Sequence, residues 1–131
     1  MTSMNTLLMP GVAENRNDSG FYDLTQLRAI SRGNETFLKT MVKLFVEQTP
    51  GIVEGILHHH HQGDLQAMAS LAHKLKQSIH SMGIHSLKET IFEIVRSGRN
   101  GEGLETLPAL LDHLEYTSDK VIRGLQKEYN L

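Results

Sequence analysis

Residues 65–84 of the 131-residue chain read LQAMASLAHKLKQSIHSMGI, and their spacing decides the fold class. Apolar residues recur three and four positions apart along this stretch: Leu65, Met68, Ala72, Leu75, Ile79 and Met82. Such spacing predicts an amphipathic helix that turns one apolar face toward a helical core. We expect Asp64, which follows Gly63, to cap the start of the helix and Gly83 to end it.

One histidine of this helix lies outside its apolar face. At about 100° per residue, His73 lies about 130° from the middle of that face, so its imidazole points away from the core. The positions within about 60° of it are small or polar, which leaves the surface open to a partner: Gln66, Ala69, Ser70, Lys76, Gln77 and His80. An exposed imidazole beside Lys74 and Lys76 can accept a phosphoryl group, but from spacing alone an ordinary solvent-facing helix is the simpler interpretation.

Two helices are predicted before this one. A short helix should begin with a capping box between Asp23 and Gln26. A long helix should follow over residues 35–61, where Pro50 is expected to kink it or to split it in two. The residues expected to point inward share helical spacing: Leu24, Leu27, Ile30, Phe37, Leu38, Met41, Phe45, Ile52 and Ile56.

Two further helices are predicted after it. A capping box over residues 86–89 should open a fourth helix, which ends in a turn from Gly98 to Gly103. The last helix should begin near Leu104 or Pro108. No strand-like alternation appears, and short connections favour antiparallel neighbours. The sequence therefore predicts an all-α fold, an up-down antiparallel four-helix bundle with a short additional N-terminal helix.

Length and composition limit the possible functions. A chain of 131 residues supports one domain, which we place at 21–131 after a flexible N-terminal segment, 1–20. The chain has no cysteine, which excludes disulfides and a cysteine nucleophile. A formal net charge of −2 gives no indication of nucleic acid or membrane as a partner, and no apolar run resembles a membrane span or a secretory signal. We therefore expect a cytoplasmic protein.

With its helices placed, the chain resembles the histidine-containing phosphotransfer (HPt) domains of multistep phosphorelays over residues 22–128. The resemblance rests on Ala-His-Lys-Leu-Lys at 72–76, on Gly83 ten residues after His73, on the break at 63–64 and on the order of the helices. It implies that a receiver-domain aspartate phosphorylates His73 on a ring nitrogen. It also implies that Lys76 helps to hold the phosphoryl group.

Two positions depart from the family pattern. The family often has glycine four residues after the histidine, where this chain has Gln77. Many members also place Glu or Gln on the facing turn of the next helix to orient the imidazole. That position falls at Val95, with Glu93 and Arg96 as neighbours.

The resulting prediction is a phosphocarrier that is not itself an enzyme. His73 is the acceptor, Lys76 stabilises the phosphoryl group and Lys74 contributes positive charge. A partner is expected to contact a second set of side chains: Gln66, Ala69, Ser70, Gln77 and His80. The chain lacks a glycine-rich nucleotide loop and an acidic Mg²⁺ pocket. We therefore expect the aspartate and Mg²⁺ to come from the receiver domains of a hybrid histidine kinase and a response regulator, and the chain to act as a monomer.

Alternatives from other classes remain open. One is a helical module that docks a receiver or kinase without being phosphorylated, which Gln77 and Val95 favour. Another is a metal-binding bundle built on the histidine run at 58–61, where His58 and His61 share a helical face. An exposed polar turn is the simpler interpretation of that run. His80, two turns after His73, could be a second acceptor or only a surface histidine.

Overall fold

The computed structural model describes residues 19–131, which form five α-helices and no strand. The helices are α1 (Thr25–Ser31), α2 (Glu35–His61), α3 (Leu65–Ser81), α4 (Lys88–Asn100) and α5 (Leu107–Tyr129). Short 3₁₀ turns precede α1, α4 and α5, at Ser19–Phe21, His85–Leu87 and Leu104–Thr106. The segment expected to be flexible, 1–20, lies outside the described residues except for its last two positions.

The four long helices form a closed bundle. Helix α3 packs between α2 and α4, and α5 completes the ring by packing on both of them, while α1 lies against α2. The predicted all-α, up-down antiparallel bundle with a short N-terminal helix is confirmed. Its centre is filled by aliphatic side chains that are almost fully buried: Leu38, Ile56, Met68, Leu75, Ile79, Ile94, Leu114 and Leu125.

Helix α2 passes through Pro50 without interruption, so the predicted split does not occur. Pro50 is exposed, and the apolar face buries Val46 before it and Val53 after it. Burial on both sides of the proline outweighs the loss of one backbone hydrogen bond. The inward placement of Phe37 is wrong, because Leu38 takes the core position and Phe37 remains 39% exposed.

The other inward assignments in the first two helices are mostly correct, with one further exception. Leu24, Leu27, Phe45 and Ile56 are buried as expected, and Met41 and Ile52 are partly buried. Ile30 is wrong, since it is 57% exposed. Helix α1 makes less than two full turns and packs only one side against the bundle, so its last turn leaves that side chain outside.

Side chains cap both α2 and α3, and the cap of α3, Asp64, is the one expected from the sequence. Asn34 accepts a hydrogen bond from the backbone N–H of Phe37, and Asp64 accepts one from that of Ala67. Each side chain satisfies a backbone donor that the first turn of a helix leaves unpaired.

The two predicted capping boxes do not form. Asp23 instead accepts hydrogen bonds from the hydroxyl and backbone N–H of Thr25, and these lower the pKa of its carboxyl group. Helix α1 starts at Thr25, one residue later than a cap at Asp23 would place it, and Leu24 at its N-cap makes no side-chain capping bond. Ser86 lies in the 3₁₀ turn before α4, and no side chain caps the helix that starts at Lys88.

Helix α4 continues through Gly98, where the sequence suggested a turn, and ends at Gly101 in the left-handed conformation. Gly98 is needed for packing. A Cβ atom there would lie 2.7 Å from the carbonyl oxygen of Leu65 and 2.8 Å from the Cβ of Ala69. The backbones of α3 and α4 thus touch at this level, and Ala69 is only 1% exposed.

We predict that Gly98→Ala destabilises the bundle while Gly51→Ala, the matched control in α2, stabilises it. Alanine gains about 1 kcal/mol of helix propensity over glycine in a helix interior. A Cβ at position 51 meets no atom within 4 Å, so this gain should be realised there. At position 98 overpacking should reverse it, leaving a net loss of about 2 kcal/mol. Urea unfolding gives both values, and equal stabilisation of the two variants would contradict the tight contact.

Candidate functional site

His73 lies in the third turn of α3 with its side chain in solvent. Its neighbour Ala72 and the following Leu75 are buried, so the backbone beneath the imidazole is fixed by the core. The imidazole forms no hydrogen bond or ion pair with any residue of 19–131. An exposed and unpaired ring of this kind is available to a reagent from outside.

A groove of about 500 Å³ runs between α3 and α4 beside this histidine. Its walls come from the solvent-facing sides of the two helices: His73, Lys76, Gln77, Ile79, His80, Lys88, Glu89, Ile91, Phe92, Val95 and Arg99. Ile79 and Ile91 are buried and form its apolar floor.

The charge of the groove is predominantly positive. Lys76, Lys88 and Arg99 line it, and Glu89 is the one carboxylate among its lining residues. Such a surface attracts an anionic group to the neighbourhood of His73.

The structure brings together three of the predicted site residues and His73. Lys76, Gln77 and His80 follow it along α3, and all four line the groove. Lys74 is exposed but is not part of that lining, because it lies about 100° around the helix from His73.

The other residues predicted to contact a partner differ in their exposure to solvent. Ser70 is exposed outside the groove. Gln66 is also exposed, and its amide nitrogen lies 3.4 Å from the carbonyl oxygen of Arg99. Ala69 is wrong as a partner contact, because α4 covers it where Gly98 allows the two helices to meet.

The position expected to orient the imidazole carries no hydrogen-bonding group. Val95 is partly buried and lines the groove. Its neighbours Glu93 and Arg96 are not lining residues, and they pair with each other at 2.7 Å. Arg96 also reaches Glu102 at 3.2 Å, and the hydrogen bond to Glu93 raises the pKa of Arg96. Both side chains thus form ion pairs near the end of α4, and neither forms a hydrogen bond or ion pair with His73.

Sequence reasoning missed the contribution of α4 to this site. Lys88, Phe92 and Arg99 line the groove together with Val95. The four residues are spaced four, three and four apart, which is the signature of one helical face. This second face of α4 is therefore readable in the sequence, beside the buried face that contains Ile91 and Ile94.

The histidine run at 58–61 forms the last turn of α2. His58 and His61 border a shallow depression at the end of α2 that also includes Glu54. Within the described part of the chain, no three His, Asp or Glu side chains are grouped so that they could hold a metal ion. The metal-binding alternative thus gains no support from the geometry.

Among residues 19–131 no helix combines the length and apolarity that crossing a membrane requires.

Comparison of the chain with known proteins identifies one family. Neither the curated proteins nor the solved structures contain a significant match to the chain. The family model described as "Hpt domain" matches residues 40–120, more than half of the chain, from the first turns of α2 into α5. The matched region includes His73 and the whole groove, and the chain belongs to the Hpt domain family of phosphorelay signalling.

Proposed function

We propose that His73 is the phosphoacceptor of this Hpt domain and that it passes a phosphoryl group between receiver-domain aspartates. Hpt domains carry phosphoryl groups in phosphorelays, so the family sets the reaction class. The observation that supports this residue is its exposed, unpaired imidazole in a groove that also contains Lys76. His80 lines the same groove but lacks the flanking lysines.

The transfer requires a neutral imidazole, because its unprotonated nitrogen supplies the electron pair. The Nε2 atom, which lies farther from the backbone, would attack the phosphorus of an aspartyl phosphate. A P–N bond forms as the P–O bond to the aspartate breaks, and the aspartate leaves as a carboxylate. Attack by a second aspartate reverses these changes and regenerates His73.

Lys76 is assigned to the phosphoryl group. It lies one turn after His73, and helical side chains lean toward the N-terminus, so its ammonium group leans toward the imidazole. Lys88 and Arg99 add positive charge from the opposite wall. Lys74 lies outside the groove, so its charge acts on the phosphoryl group only over a longer distance, where solvent screens the interaction.

The partner is assigned the aspartate and Mg²⁺, which neutralises charge on the transferring group. One carboxylate among three cationic side chains makes the groove a poor magnesium site, since Mg²⁺ prefers several oxygen ligands. The partners we propose are therefore receiver domains of a hybrid kinase and of a response regulator, which a monomeric carrier would visit in turn in the cytoplasm. Val95 favours a second candidate, a docking module that is never phosphorylated, because it cannot orient the imidazole.

We predict that His73→Gln abolishes phosphorylation by a phosphorylated receiver. The free energy of unfolding should change by less than about 0.5 kcal/mol, because the side chain is exposed. His80→Gln, in the same groove, is the matched control and should still accept phosphate. The measurement is acid-labile phosphate on the chain. Transfer to His73→Gln at the wild-type rate would move the assignment to His80, and a wild-type chain that accepts phosphate from no receiver would favour the docking module.

Lys76→Ala should slow phosphoryl transfer about tenfold, equivalent to about 1.4 kcal/mol of transition-state stabilisation. Lys74→Ala removes the same charge from outside the groove and should change the rate by less than about twofold, because solvent screens exposed charges. Single-turnover rates at saturating receiver separate the two variants. Equal rates for both lysine variants would show that the groove does not select Lys76.

Gln77→Gly should broaden the set of receivers that transfer to the chain. Gln77 lines the groove one turn after His73, where its side chain limits the approach of another backbone. The substitution should also cost about 1 kcal/mol of helix stability. Gln77→Ala, which removes the amide but keeps a good helix former, controls for that loss. Transfer rates from a panel of noncognate receivers give the result, and an unchanged spread of rates would exclude Gln77 as a determinant of specificity.

A further inference from the structure

Phe92 is the most exposed large apolar side chain of the groove, at 58%. The nearby apolar residues Ile91 and Ile94 are buried in the core, so their apolar character is explained by packing. Tyr116 has the same exposure, but its ring packs edge-on against Phe21 and lies under Lys120. Phe92 has no ring or cation contact of this kind within residues 19–131.

The register of α3 and α4 places Phe92 opposite His73. Gln66 of α3 approaches the backbone of Arg99 in α4, one residue along each helix from the tight contact between Leu65 and Gly98. Seven residues are close to two helical turns and return to nearly the same face. In an antiparallel pair, seven residues forward from Gln66 and seven residues back from Arg99 lead to His73 and Phe92.

The surroundings of Phe92 combine an apolar floor with a charged rim. Ile79 and Ile91 lie buried beneath the groove, and Val95 is one turn away on the same face as Phe92. Lys76, Lys88 and Arg99 supply the rim. An exposed aromatic ring over an apolar base, enclosed by polar groups, is the arrangement typical of the residues that dominate protein–protein affinity.

We propose that Phe92 is the apolar anchor that seats the receiver domain on the α3–α4 side of His73. This inference rests on the proposed phosphotransfer function. A phosphorylated aspartate brings a strongly negative surface, which complements the cationic rim. The receivers selected in this way must carry an apolar side chain beside the phosphoaspartate, since Phe92 is buried only against such a surface.

The anchor also addresses the absence of an orienting group at Val95. With no side chain of residues 19–131 bonded to the imidazole, its attack geometry is set when the receiver docks. Contact at Phe92, across the groove, holds the receiver beside His73 without touching the reacting atoms, so its loss weakens binding and leaves the chemical step unchanged. Phe92 is therefore a residue of specificity and docking rather than a catalytic residue.

The test compares Phe92→Ser with Tyr116→Ser, which removes an equally exposed ring from α5. Transfer rates are measured against the concentration of receiver domains phosphorylated with acetyl phosphate. Phe92→Ser should raise the half-saturating receiver concentration about tenfold and leave the maximal rate within about twofold, as expected for loss of an interface anchor. Tyr116→Ser should match the wild type, and Phe92→Leu should recover most of the affinity.

Two further measurements separate this proposal from the proposed function. Phosphoramidate, a small donor that needs no docking, should label His73 equally in the wild type and in Phe92→Ser. Direct titration with the unphosphorylated receivers reports docking even if no transfer occurs, and weaker binding by Phe92→Ser alone would support the anchor. Unchanged half-saturation and binding in Phe92→Ser would overturn the anchor while leaving His73 as the acceptor. A fall in the maximal rate alone would also overturn it, because Phe92 would then act on the chemistry.

Discussion

The contact between α3 and α4 at Gly98 is the constraint on which the site depends. With hydrogen in place of a side chain, the backbone of α4 reaches the carbonyl oxygen of Leu65 and the methyl group of Ala69. This contact sets both the separation and the register of the two helices. The groove beside His73 lies farther along the same helix pair, and the same register brings Phe92 across from the imidazole. Packing at one end of the helix pair thus determines the chemistry available farther along.

The fold and the exposure of His73 could be predicted from sequence because both follow from periodicity within single helices. A helical wheel separates Ala72 and Leu75, which are buried, from His73, which is not. The wheel fails where the answer depends on a neighbouring helix. Ala69 lies on the polar side of α3 by angle, yet α4 covers it because Gly98 permits the approach. A small residue beside a helical glycine is therefore ambiguous until the packing partner is known.

The errors at helix termini have a different physical origin. A capping box is a local pattern, but tertiary contacts compete with it. Asp23 turns its carboxylate to Thr25, and its backbone N–H donates to the carbonyl oxygen of Met82 at the end of α3. A Cβ at Gly83 would collide with the carbonyl group of Asp23, so this crossing requires glycine. The start of α1 is thus determined by the place where the segment before it crosses the end of α3. No short sequence motif encodes that crossing.

The site combines a rigid backbone with a free side chain, and this combination has an energetic consequence. The core fixes the helix beneath His73, but no bond to residues 19–131 holds its imidazole. Ordering such a ring at docking costs about 0.5–1.5 kcal/mol, which the interface must offset. The cations on α4, Lys88 and Arg99, contribute to the rate of encounter more than to a fixed geometry, because solvent screens exposed charges. In the proposed complex that offset must come from apolar packing, and the exposed ring of Phe92 is the side chain of the groove best suited to provide it.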